Sequence, residues 1–194
     1  MTRRLKIDYN APFCLTFCLL AMLVYVAALF TNGWVTAHWF SIPGSAGFTD
    51  WTTYPRLILH VLGHASAPHL FANLTILLLI TPMLEEMYGT GLLVALALVT
   101  AVITGLLMVF LFPGTLLGAS SIVFAFIILS SFANARSGTI PLTFILVCLI
   151  FIGGELIRSL NREDTIAQFA HVAGGILGGM AGFLMAKRAE TPRW

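Results

Sequence analysis

Ser120, His171, His69 and Asn73 are the side chains in this sequence whose types and spacing suit chemistry. A serine becomes a nucleophile when a base takes its proton, and a neutral imidazole does that best near neutral pH. Ser120 stands in Gly118-Ala119-Ser120-Ser121, after a Pro113-Gly114 break and at the head of an apolar run that reaches Ala135. Such a serine would lie beside backbone N–H groups that no helical carbonyl pairs, at the positive end of a helix dipole. A carbonyl oxygen turning into an oxyanion there would be stabilised. Gly118 permits a backbone turn that a side chain would obstruct. Taken alone, the segment fits an ordinary serine N-cap better than a nucleophile.

His171 occurs in Ala170-His171-Val172-Ala173-Gly174, with Gly178 four residues further on. Gly174 and Gly178 form a small-residue face on which a neighbouring helix approaches closely. His171 lies one turn before Gly174 on nearly the same face, so it reaches toward that neighbour. Opposite a serine at matching depth it is a candidate base. His69 and Asn73, four apart, share one face near the start of another apolar segment, just after Pro68 in its first turn. Polar groups there are costly unless they face protein or a water-filled cavity. On their own they read as contacts between packed helices.

These side chains need elements to bring them together. The chain has 194 residues, is 59% hydrophobic and 9% charged, and has mean hydropathy +0.96. That composition lacks the polar surface of a soluble globule and belongs in a lipid bilayer. About 20 apolar residues cross a hydrocarbon core of ~30 Å. Stretches of this kind run over residues 13–30, 70–84, 91–112, 120–135, 140–157 and 166–186, which predicts an all-α, six-helix membrane domain spanning residues 1–194. The outer segment 31–67 carries Trp34, Trp39, Phe40, Trp51 and Tyr54, side chains suited to the headgroup level. Pro43, Gly44 and Gly47 break any helix at its start, while residues 54–63 fit a short one. The fourth span, at ~24 Å by helical rise, is shorter than the membrane. Residues 113–119 are therefore expected to dip inward as extended chain, leaving Ser120 on the floor of a cavity. Irregular backbone is tolerated at such depth where protein or water surrounds it.

Lys and Arg set the orientation. Arg3, Arg4, Lys6, Arg136, Lys187, Arg188 and Arg193 fall on one side, against Arg56, Arg158 and Arg162 on the other, so both termini are expected in the cytoplasm. The formal charge of +2 then reflects topology and calls for no nucleic-acid partner. The first span is longer than a signal-peptide core and reads as a retained helix. Cys14, Cys18 and Cys148 fall inside spans and act as small apolar residues, without a disulfide framework. His60 and His64 share a helix face, but their motif lacks the glutamate of zinc proteases and a third ligand. We expect no metal and no cofactor, and hydrogen bonding of both imidazoles within the outer segment. Glu85 and Glu86, before Gly89, read as interfacial structure, as does Glu155 near Arg158. A transporter would place charges at mid-membrane, and the spans offer none.

Together the motifs resemble the rhomboid family of intramembrane serine proteases, over nearly all of the chain after the first helix. The family's Gly-x-Ser matches Gly118-Ala119-Ser120, and its Ala-His-x-x-Gly-x-x-x-Gly matches Ala170, His171, Gly174 and Gly178. Its His and Asn four apart match His69 and Asn73. The Glu and Gly closing that helix match Glu85 and Gly89, and the outer-loop histidines match His60 and His64. The resemblance implies a Ser120–His171 dyad and an oxyanion hole of His69, Asn73 and the Ser120 backbone N–H. It also implies transmembrane substrates that enter from the lipid and are cut near the outer face. By implication the membrane is a bacterial inner membrane. Ser121 stands where many members have Gly, Phe124 where many have Tyr against the catalytic His, and Pro55-Arg56 where Trp-Arg is common. A noncatalytic, helix-binding relative is the other reading; it would be expected to lose Ser or His, and this chain keeps both.

Overall fold

In the computed structural model, which describes residues 7–133, 139–150 and 165–188, every residue from Ser121 to Leu129 is buried. A helix apolar on every side belongs at the centre of a bundle. That helix, α6 (Ser120–Ser130), packs against the longer α4 (Ala67–Tyr88), α5 (Thr90–Leu111) and α8 (Thr165–Arg188), and α1 (Pro12–Phe30) reaches it through the Phe13 ring on Phe126. These four are long and apolar enough to cross a membrane, whereas α6 has 11 residues. The protein is an all-α polytopic membrane protein. The predicted fifth span is helical over residues 142–150, here α7. Its remainder, with Gly153, Gly154 and Glu155, and residues 158–162 lie outside the described residues, as do Arg3, Arg4, Lys6, Arg136 and Arg193.

Between α1 and α4 the chain forms α2 (Trp34–Trp39) and α3 (Thr53–Leu59), the latter continued by a 3-10 turn at His60–Leu62. The α3 segment agrees with the expected short helix; α2 had no counterpart in the sequence reading. Between α5 and α6 the chain is extended at Phe112, Thr115 and Leu116 but bends at Pro113, Gly114 and Gly118 and turns at Ala119, so the extended run expected over 113–119 is interrupted. Within it, strand β2 (Thr115–Leu116) pairs antiparallel with β1 (Ile42–Pro43), Ile42 opposite Leu116 and Pro43 opposite Thr115. This pairing ties the approach to α6 to the loop that follows α2. The Gly118 N–H adds a 2.9 Å bond to the His60 carbonyl.

The α6–α8 contact depends on glycine. A Cβ on Gly174 would overlap the Ser121 carbonyl, and one on Gly178 would overlap the Ala125 carbonyl. The backbones therefore approach as closely as the small-residue spacing predicts. At the opposite end of the bundle, Glu85 has a structural role, as expected, and the partners it serves are now defined. It is only 5% exposed, and its carboxylate accepts from the Phe13 N–H at 2.8 Å, the Cys14 N–H at 3.3 Å and the Thr90 hydroxyl at 2.6 Å. The cause is local: Ala11, the residue capping α1, offers no side-chain acceptor for the first-turn N–H groups. Glu85 supplies it from α4, and Gly89, at φ +83°, turns the chain directly into α5.

Candidate active site

Ser120 opens α6, with Ala119 in the capping position and no side chain acting as the cap. Its hydroxyl is thus not used as the ordinary N-cap that the segment alone suggested. On α6, Ser120, Val123, Phe124 and Ile127 share one face by helical spacing, and all four line a cavity of about 400 Å³. His69, Asn73 and Ile76 of α4 form a second wall, Ala167 and His171 of α8 a third, and Thr115–Leu117 run along the rim. The structure therefore brings Ser120, His171, His69 and Asn73 to one cavity, although they are separated by up to a hundred residues. Ser121 is turned into the α6–α8 contact, where it is 2% exposed and its carbonyl meets Gly174. Of the two adjacent serines, Ser120 is the one on the cavity.

Phe124 stacks on His171, with ring centroids 4.3 Å apart and planes 7° apart. The contact lies between α6 and α8, one turn from Ser120, so it sets the orientation of the imidazole relative to the serine helix. Gly118 has φ +115°, a conformation that favours glycine, and its missing side chain makes room for His69. A Cβ there would lie 2.7 Å from His69 Cε1. His69 is fixed from its own side as well, because the Ser66 hydroxyl caps α4 by accepting from the His69 N–H at 3.3 Å.

Asn73 is buried, and its Nδ2 lies 3.1 Å from His64 Nε2. His64 Nδ1 lies 3.2 Å from the Leu62 carbonyl, which only a ring N–H can satisfy. Nε2 then carries the lone pair and accepts from the Asn73 amide. His60 behaves differently: its Nε2–H donates to the Ala101 carbonyl of α5 at 3.0 Å. His60 thus leaves the outer segment for α5, against the expectation that it bonds within it, whereas His64 bonds both within that segment, to Leu62, and beyond it, to Asn73 of α4. Burial is the main cause that lowers both pKa values to about 4; for His64 the neighbouring His69 adds to it. Both rings are neutral at physiological pH.

Sequence reasoning did not find Ser66, the His64–Asn73 bond, or Val123 and Ile127 as cavity walls. The last two were accessible from Ser120 by counting i+3 and i+7 along a helix. Residues 51–188 match the Rhomboid domain. This chain belongs to the rhomboid family. The rhomboid match covers α3 to α8 and every cavity-lining side chain described above, while α1 precedes it. Membership places the chain in an intramembrane protease family that also contains inactive members. No curated protein matches the chain.

Proposed function

We propose that this rhomboid protein is an intramembrane serine endopeptidase. Ser120 attacks a peptide carbonyl, and His171 takes its proton and later returns it to the leaving amine. The Ser120 N–H, at a helix start where backbone donors are unpaired, joins His69 and Asn73 in stabilising the oxyanion. The observation that carries this reading is the single cavity shared by Ser120, His171, His69 and Asn73, with Phe124 stacked on His171. A noncatalytic helix-binding protein would have no need of a serine and a histidine lining one cavity.

Substrates on this reading are transmembrane segments that reach the cavity sideways from the lipid. A helix in lipid keeps its carbonyls in its own hydrogen bonds, so cleavage needs local unwinding. Segments with Gly, Pro or polar residues near the cut are accordingly favoured. The Lys and Arg bias supports cytoplasmic termini and a site that opens outward, and the family resemblance suggests a bacterial inner membrane. Labelling of purified protein with a fluorophosphonate tests the chemistry. Wild type should label, and Ser120→Ala and His171→Ala should not. Folded wild-type protein that neither labels nor cuts a helix with a flexible break would favour the helix-binding reading instead.

A further inference from the structure

We propose that His64 is a positioning residue that acts through Asn73: it fixes the amide so that one N–H is held by the loop and the other is left for an oxygen in the cavity. This rests on the proteolytic reading of the cavity. His64 itself does not line that cavity, whereas Asn73 does. Its imidazole, 3% exposed, is pinned at both nitrogens, with Nδ1–H to the Leu62 carbonyl and Nε2 to the Asn73 amide.

The direction of those bonds carries the argument. An asparagine amide has two faces of opposite polarity, and rotation by half a turn exchanges its carbonyl for its NH₂. A carbonyl turned toward a forming oxyanion would repel it. The Leu62 carbonyl decides the His64 tautomer, the tautomer leaves a lone pair on Nε2, and the lone pair selects the NH₂ side of Asn73. The backbone at Leu62 is thereby coupled through two hydrogen bonds to the polarity that Asn73 presents. His69 packs edge-on against His64, with ring centroids 5.0 Å apart, so the two imidazoles constrain each other on the α4 side of the cavity. No carboxylate contacts His64 among the described residues, and burial keeps it neutral.

The test compares His64→Phe, which keeps a ring but loses the lone pair, with His64→Gln, whose carbonyl can accept from Asn73. Steady-state cleavage of a transmembrane substrate should show kcat about tenfold lower for His64→Phe with KM unchanged, the size of one lost hydrogen bond. His64→Gln should recover most of that loss. In an Asn73→Ala background, His64→Phe should have no further effect, because the residue through which it acts is gone. An equal loss in both backgrounds, or a loss that follows thermal stability and is not recovered by Gln, overturns the proposal. Nitrogen NMR of ¹⁵N-histidine-labelled protein reads the bond without reference to activity. His64 should be the Nδ1–H tautomer, and its Nε2 shift should move on Asn73→Ala; a shift that ignores Asn73 also overturns the proposal. Folded wild-type protein without cleavage refutes the proteolytic reading, and the nitrogen shifts then decide the His64–Asn73 bond alone.

Discussion

At the scale of single residues, two adjacent serines differ in what they can do because a helix separates them by about 100°. Ser120 faces the cavity and Ser121 faces α8. Ser120→Ala should therefore lower cleavage by at least about 1000-fold, as expected when an enzyme loses its nucleophile. Ser121→Ala should retain both cleavage and fluorophosphonate labelling. Activity that followed Ser121 instead would move the nucleophile by one position and contradict the cavity assignment. Gly118 offers a second check, on the His69 side of the cavity. In Gly118→Ala the new methyl lies 2.7 Å from His69 Cε1 and 2.9 Å from Nε2, at a backbone φ of +115°. Either the ring or the loop has to shift. We expect turnover to fall while the protein remains folded, measured as kcat beside helical circular dichroism.

At the scale of elements, α6 and α8 fix the distance between the serine and the histidine, and glycines set how close those helices come. Gly178→Ala puts a methyl onto the Ala125 carbonyl and should lower both stability and cleavage. Gly179→Ala is its control. A Cβ there meets Phe144 and Ile128 at 3.6 and 3.7 Å, ordinary packing distances. With alanine the better helix former by about 1 kcal/mol, that variant should be neutral or somewhat more stable in detergent unfolding. Equal losses from both substitutions would mean that close approach at Gly178 is not what holds α8. The spacing of Gly174 and Gly178 made this interface legible in the sequence, as a short apolar run made α6 legible as a buried helix that starts late. The β1–β2 pair was not legible, because two strands of two residues leave no periodicity and their partners are some seventy residues apart. The partners of Glu85 were not legible for a related reason. Its carboxylate answers a need at Phe13 and Cys14, and no local pattern reveals which distant helix lacks a cap. Likewise, the His64–Asn73 bond exists only once the outer segment folds back over α4.

At the scale of the whole molecule, the outer segment is joined to the bundle by buried neutral imidazoles, and this makes stability depend on pH. His60 is fully enclosed, with Nε2–H bonded to the Ala101 carbonyl and Nδ1 without a partner among the described residues. A proton arriving on Nδ1 would be a buried charge with no acceptor. The folded protein therefore resists protonation until about pH 4, whereas the exposed ring has its ordinary value of 6.5. Above pH 6.5 both states are neutral at this position and it contributes no pH dependence. Between 6.5 and 4 the unfolded state takes up the proton and the folded state does not, so stability falls as pH falls. Below about 4 both states are charged and the dependence ends. For His60 alone the loss amounts to roughly 3 kcal/mol across that window, and His64, shifted in the same direction, adds to it. Equilibrium unfolding in mixed micelles from pH 7.5 to 4 should show a progressive decline. His60→Gln should make it shallower, leaving the part that His64 contributes, at the cost of a lower stability at pH 7.5 where the enclosed ring is replaced. A wild-type profile that stays level from 6.5 to 4 would mean that these histidines are solvated or already charged in the folded protein, and that the outer segment is not closed over α4 and α5 as described.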